Sequence, residues 1–565
     1  MGGDGHDMGD GGQMGKQIEH PVGLLTRLAK NQAGNTLAIV AAALIPLAGM
    51  IGGGLDISRG YLGQTRLQQA CDAGVLAGRK LMGTSGVLSD AVTAEVRKYV
   101  RFNYPDNYLG STLQEAGIVP SIGTNEQLVL TVSTTVPTVI MKLFGKDDMT
   151  VSATCSGRND YSNIDIVLVL DTTGSMACKP EHTASQCSSW ISTSKSSGKT
   201  MLVDNKTVTY VAEQMNGTTN ISRMQALRTA LTNLQAQMAT IESQFNMTEQ
   251  GKRKRVRWSI IPFSQMVNAG FSKGTAGTTL YDRNSSWFNT TGNYRQTKCV
   301  RNSWTGVVTC SVEKNNSNIS HNSTWMTNSW DGCVEEQSTS NTITSTTSTI
   351  PTTAYDMRHD TVPTSTATKW TVADPSMTGT AQYACPKAMR ELQPMTATTF
   401  NDYFKLTNGF AANGGTYLDI GLMWAARLLS RSGNWASDNP ATYNTYPVNR
   451  YVIFMTDGEM DTGNSLYGAY AQEFTWKRIA SNGAENTSNT NHTARMLITC
   501  AAIKNMASTK IYTISFGAGS GLTQDLIDCS SGAENEYAFE AANASDLNNV
   551  FRDIGENIGS LRLAQ

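Results

Sequence analysis

Charge is scarce in this sequence: Asp, Glu, Lys and Arg together make up 16% of 565 residues, and the formal net charge is -1. Without an excess of either sign, nothing electrostatic draws the chain to nucleic acid or to an anionic membrane surface. Histidine is also scarce, with 6 in the chain, and no pattern of histidine, carboxylate and nucleophile is legible, which argues against a hydrolase. None of the 10 cysteines falls in a C-x-x-C spacing, so a zinc ribbon or a thioredoxin-type centre is excluded. Residues 1–30 open on a Gly-rich stretch without hydrophobic period, which reads as a disordered cytoplasmic leader. Length alone suggests about three or four folding units.

What the chain does have is Ser, Thr, Asn and Gly in quantity, a balance that resembles exported surface proteins. The even number of cysteines, scattered through polar sequence, fits disulfides formed in an oxidising compartment. A sequential scheme expects Cys178 with Cys187, Cys299 with Cys310, Cys333 with Cys385, and Cys500 with Cys529. Connectivity does not follow from spacing, and buried reduced thiols in a cytosolic protein are the alternative.

One apolar run stands out. No charge occurs from Asn31 to Leu55, and TLAIVAAALIPLAGMIGGGL is about as long as a helix needs to cross a bilayer. Residues 31–57 are therefore expected to form a transmembrane helix, with a cleaved signal peptide and a buried core helix as the competing readings. Lys16, Arg27 and Lys30 before it and Arg59 and Arg66 after it orient it only weakly. The cysteines place the C-terminal bulk on the oxidising side. Leu67, Cys71, Val75, Gly78 and Leu81 or Met82 continue at helical spacing, so an amphipathic stalk follows. EAGIVPSIG, EQLVLTVSTTVPTVIM and DMTVSATCSGR alternate apolar with polar residues and predict a small antiparallel sheet that covers it. Residues 58–160 form this α+β unit.

The run NQAGNTLAIVAAALIPLAGMIGGGLDISRGYLGQTRLQQACDAGVLAG resembles the N-terminal region of TadG-type proteins of the Flp, or tight adherence, pilus assembly system. The resemblance implies an inner-membrane, single-pass protein whose bulk is periplasmic, with other Flp/Tad components as partners. Pilin-like relatives are cut after a Gly and carry a Glu at the fifth position beyond it. After Gly34 that position holds Ile39, so a retained anchor is expected.

Beyond Tyr161 the pattern changes. IDIVLVLDTTGSM holds a continuous apolar run, Ile164 to Leu170, that ends in Asp171 and small hydroxyl residues. A buried parallel strand with a functional loop at its carboxyl end fits. A helix with Met224, Leu227, Leu231, Leu234 and Met238 on one face follows, then RVRWSIIPFS, GTYLDIGLMWAARLLS, RYVIFMTDG and KIYTISFGAG. This alternation predicts an α/β fold with a mainly parallel sheet wrapped on both faces.

This half resembles a von Willebrand factor A domain, doubly wound, split into residues 161–264 and 401–565. The resemblance carries over a metal-ion-dependent adhesion site: Asp171, Thr173 and Ser175 in DTTGS, Thr416 in GGTYLDIGL, and Asp457 in TDGE. EYAFEAANASDLNNVFRDIGENI is similar to the family's last strand and helix, opening at Asp546 and Leu547. Carboxylate and hydroxyl oxygens are hard ligands, which suits Mg²⁺ first, with Ca²⁺ or Mn²⁺ as alternatives, over zinc or copper. With only two carboxylates and three neutral hydroxyls, the cation keeps coordination positions open to an acidic residue of a protein partner. Asp171 and Asp457 acting merely as turn residues, in a domain without metal, is the competing reading.

Residues 265–400, with Cys299, Cys310, Cys333 and Cys385, are too long for a plain loop and read as a disulfide-tied insertion. A smaller one carries Cys178 and Cys187. Either shapes partner choice or is a tolerated surface excursion. GKRKRVR at 251–257 sits between a helix and a strand and reads as a solvated turn, without a nucleic-acid role. The expected function is membrane-anchored, non-enzymatic adhesion or assembly in an Flp/Tad pilus. The rivals are a pilus-independent surface adhesin and, in a different class, the A-domain subunit of a chelatase- or protease-type complex.

Overall fold

A computed structural model describes residues 32–82, 87–123, 127–157, 163–196, 198–203, 206–215, 221–245, 255–270, 285–305, 307–444, 446–458, 460–463, 465–517 and 521–559. The leader expected at 1–30 lies outside them. The chain divides near residue 160 into two compact units.

The first unit is built on a single long helix, α1 (Gln32–Met82). Ile39, Ile45, Met50 and Ile51 stand out from it with more than half their surface exposed, so its N-terminal half shows apolar side chains without protein cover. It is the one helix among the described residues long and apolar enough to cross a membrane. Further along, Leu67, Ala70, Cys71, Val75 and Met82 are fully buried, while Leu81 is exposed. They meet α2 (Asp90–Asn103), which buries Val92, Val96 and Val100 and starts at Ser89, whose hydroxyl accepts the Val92 N–H.

The same face of α1 meets a three-stranded antiparallel sheet, β1 (Ile118–Ile122), β2 (Leu128–Pro137) and β3 (Asp148–Gly157), with β2 in the centre. Along β2, Leu128, Leu130, Val132 and Val136 point inward, because side chains alternate faces along a strand. Gly78 allows the helices to close: a Cβ there would lie 2.2 Å from the Val96 side chain. The Asp56 carboxylate accepts the N–H groups of Val139, Ile140 and Met141 at 2.9, 3.0 and 2.8 Å, tying the β2–β3 connection to α1. Cys71 is bonded to Cys155, a pair the sequential scheme does not contain.

In the second unit the elements that matter, in chain order, are β4 (Asn163–Asp171), α3 (Ala184–Ser196), α4 (Arg223–Phe245), β5 (Val256–Phe263), β6 (Thr291–Arg301), β7 (Val308–Ser320), β8 (Arg390–Gln393), α5 (Leu418–Leu429), β9 (Tyr446–Thr456), α6 (Glu485–Lys504), β10 (Thr509–Phe516), β11 (Ala538–Ala541) and α7 (Ala544–Gly559). The main sheet runs β8-β5-β4-β9-β10-β11. All neighbours are parallel except β8, which is antiparallel to β5. Ile164, Ile166, Leu168 and Leu170 pack on one side of the sheet with α4 and α7. Val167 and Val169 face the other side, where α5 and α6 lie. Every residue of β4 is buried, which is why its sequence is continuously apolar rather than alternating.

Residues 285–393 are built into this core. Phe288, Trp330 and Trp370 share a cluster with Trp424 of α5, and β8 supplies an edge strand. Glu336 is the polar tie: it accepts from Trp424 and Trp370 ring N–H groups at 2.8 and 3.1 Å and from the Arg427 guanidinium at 3.1 and 2.8 Å. The structure also joins Cys178 to Cys187, Cys299 to Cys310, Cys333 to Cys385 and Cys500 to Cys529. Cys299 and Cys310 face each other across the β6–β7 hairpin.

Two sequence readings are corrected. Within 251–257, residues 251–254 lie outside the described residues, and Arg257 belongs to β5 rather than a solvated turn. Its guanidinium is buried because Asp165 on the neighbouring strand accepts from it at 2.7 and 2.6 Å. The final helix opens at Ala544, ahead of Asp546, because the Asn543 side chain accepts the N–H groups of Ser545 and Asp546 and caps it.

Removing Glu336 leaves Arg427 buried without its carboxylate. Glu336→Ala is expected to destabilise the second unit by about 3–5 kcal/mol. Urea unfolding followed by tryptophan fluorescence measures it, since all 10 tryptophans lie beyond residue 160; an unchanged midpoint would show that this tie is dispensable.

Candidate functional site

The sheet places the site. β4 and β9 run parallel, with Leu170 opposite Met455, so Asp171 and the Thr456–Asp457 step emerge together at the carboxyl ends of adjacent strands. The strand order also reverses here, with β5 on one side of β4 and β9 on the other, which is where open parallel sheets form crevices.

Asp171 is fully buried and holds two neutral donors: the Thr173 N–H at 2.8 Å and the Thr456 hydroxyl at 2.7 Å. Burial, followed by the nearby Asp457 charge, pushes its carboxyl up to about 7. The Ser175 hydroxyl donates to Asp457 at 2.7 Å, and Thr173 and Ser175 hydroxyls lie 2.9 Å apart. Ser175 has a single proton and spends it on the carboxylate, so in this chain Thr173 donates to Ser175. Both hydroxyl oxygens thereby keep lone pairs that are not used in these bonds.

The loop carrying Thr416 is fastened to the Asp171 loop by Gly174 N–H to Gly414 O at 3.1 Å and Asn413 N–H to Thr172 O at 2.8 Å. Thr416 itself is buried and exchanges both backbone hydrogen bonds with Asp461 at 2.9 Å. Gly414 has φ +90, a left-handed conformation that Gly adopts without strain. Asp171, Thr173, Ser175 and Asp457 thus form one hydrogen-bonded group, with Thr416 brought to it by its loop rather than by a bond within the chain. An all-oxygen set of two carboxylates and neutral hydroxyls, with a buried carboxyl whose ionised form lacks a cation of its own, fits a hard divalent ion.

One further member was not legible as a site residue. Arg223, the first residue of α4, donates from Nη1 to Asp457 at 2.8 Å, with the two side chains 6% and 0% exposed. Its signal in the sequence is slight: a cation in the first turn of a helix opposes the helix dipole and calls for a local anion. Cys178–Cys187 lies against the same loop, since Cys178 N–H donates to Ser175 O at 2.9 Å. A second acidic and sulfur group, Asp331 with Cys333 and Cys385, is closed to metal by the disulfide between its two cysteines.

Residues 34–84 match the family model described as putative Flp pilus-assembly TadE/G-like. The N-terminal segment is TadE/G-like. This TadE/G-like segment takes in most of α1, including Cys71 and the buried stalk positions. Among solved structures, the PilB minor pilin from Streptococcus sanguinis is 10% identical, with a TM-score of 0.32 over 80% of this chain and 78% of its own. The pilus adhesin SpaC from Lactobacillus rhamnosus GG is 11% identical, with a TM-score of 0.28 over 80% of this chain and 34% of its own. A von Willebrand factor type A protein from Catenulispora acidiphila is 8% identical, with a TM-score of 0.24 over 77% and 46%. Likenesses this slight carry no argument about the fold or the site. No curated protein matches the chain.

The raised Asp171 carboxyl has a consequence for pH. A carboxyl that ionises near 7 when folded, against 3.8 ordinarily, keeps an extra proton in the native state between those values. That contribution is complete at low pH and is lost as pH rises through about 7. In chelator, wild-type protein is expected to lose stability from about pH 4 to about pH 7, and Asp171→Asn to flatten that loss. Denaturant midpoints at several pH values check it; equal slopes for both proteins would refute it.

Proposed function

We propose that this chain is a membrane-anchored, extracytoplasmic protein of the Flp/Tad pilus machinery, acting in pilus assembly or pilus-associated adhesion by metal-dependent protein binding. The observation that carries the binding reading is the group at the ends of β4 and β9. Asp171 and Asp457 offer carboxylates, and Thr173, Ser175 and Thr416 offer hydroxyl oxygens, in the pattern of the adhesion site that the sequence resembles. A bound divalent ion, Mg²⁺ first, would supply positive charge and open coordination positions there.

The residues do the rest. The proton chain from Thr173 through Ser175 to Asp457 keeps hydroxyl protons turned away from the lone pairs. Burial of both carboxylates lowers the local dielectric, so an acidic side chain from a partner feels the residual charge strongly. The TadE/G-like segment and the exposed apolar half of α1 support a membrane anchor in a pilus system. Five disulfides, with no free cysteine among the described residues, support an oxidising compartment.

Asp171→Ala is expected to abolish Mg²⁺ and Mn²⁺ binding, measured by calorimetry, while the far-ultraviolet circular dichroism stays that of the wild type. Unchanged cation affinity would sink the binding reading. The compartment has its own test: alkylation of intact cells before reduction is expected to label few of the cysteines, and labelling of nearly all 10 would place the protein in the cytosol.

A further inference from the structure

Arg223 sits where a charge decides what the site can hold. Its guanidinium shares Asp457 with the hydroxyl chain: one carboxylate oxygen takes Nη1 at 2.8 Å and the other takes Ser175 at 2.7 Å. The position is built rather than incidental. The Arg223 N–H is held by Cys178 O at 2.8 Å, and Nη2 reaches His182 O at 3.5 Å. Gly517 leaves the space: a Cβ there would come 2.9 Å from the guanidinium carbon, and its φ of +124 suits Gly. An almost fully buried arginine in the first turn of a helix is costly unless an anion compensates it, and Asp457 is that anion.

The charge balance follows. With Asp171 and Asp457 ionised, Arg223 brings the buried group to one net negative charge. A divalent cation would then leave one net positive charge, which a single carboxylate ligand neutralises. Without Arg223, the cation alone would neutralise the site, and an acidic ligand would arrive at a site with no charge to meet it.

We propose that Arg223 weakens the site for a cation alone and reserves tight cation binding for the state in which an acidic ligand is also bound. This deepens the metal-dependent reading above and rests on it. Because binding free energies are linked reciprocally, the ligand tightens the cation by the same factor as the cation tightens the ligand. The partner is thereby an acidic group delivered together with the cation, and the cation is not a permanent structural fixture.

The test uses the full chain stripped with chelator, Mn²⁺ as the cation and acetate as the carboxylate probe. Calorimetry of wild type, R223Q, R223K and D171A is run with and without acetate. R223Q is expected to bind Mn²⁺ alone about tenfold more tightly than wild type, a size usual for coupling between linked sites. Acetate is expected to tighten Mn²⁺ binding in wild type and R223K and not in R223Q. A merely structural arginine would give weaker binding in R223Q and R223K alike, and that result overturns the proposal. R223Q equal to wild type, with D171A losing Mn²⁺, overturns the role of Arg223 and leaves the cation site standing. Absence of Mn²⁺ binding by both wild type and R223Q overturns the cation reading and this proposal with it.

Discussion

The parallel pairing of β4 with β9 is the constraint from which the site follows. It brings two chain segments separated by 285 residues to one edge, where the Thr456 hydroxyl meets Asp171 and Asp457 lies one residue further on. Two carboxylates buried side by side repel, and neither reaches water. Every neighbouring contact answers that repulsion: the Thr173 N–H, the Thr456 and Ser175 hydroxyls and the Arg223 guanidinium all donate to one carboxylate or the other. When both carboxylates are ionised, Arg223 offsets one of the two negative charges.

The same logic of buried charge binds the rest of the second unit. Glu336 collects Arg427 and two tryptophan N–H groups, Arg257 pairs with Asp165, and Arg495 lies with Asp356 and Asp419, which also meets His492 at 2.8 Å. Each such pair stands between elements far apart in the chain. The Glu336 and Asp356 pairs make residues 285–393 a layer of the core rather than a detachable excursion, and the Cys333–Cys385 bond lies inside that layer. The ends of β4 and β9 thus rise from a sheet packed on both faces.

The first unit solves a different problem. One helix carries bare apolar side chains in its N-terminal half and a packed face in its C-terminal half, and Asp56 marks the changeover by gathering three backbone N–H groups. A carboxylate there can satisfy donors that the loop at 139–141 would otherwise leave without partners.

Periodicity and residue chemistry were legible without a structure. The alternation in LVLTVSTTV is that of a strand with one buried face, the unbroken apolar run of Ile164 to Leu170 is that of a strand covered on both, and the long uncharged run before Leu55 is that of an exposed apolar helix. The hydroxyl and carboxylate residues of DTTGS and TDGE named the segments that meet at the strand ends. What only the tertiary structure decided was partnership: Arg223 with Asp457 across 234 residues, Cys71 with Cys155 across 84, Arg257 with Asp165, and the β8 edge strand drawn from the region read as an insertion. The reason is physical. A pattern of apolar and polar residues reports whether a position meets water, which each segment settles locally, whereas the compensation of a buried charge depends on which distant segment the sheet order brings beside it.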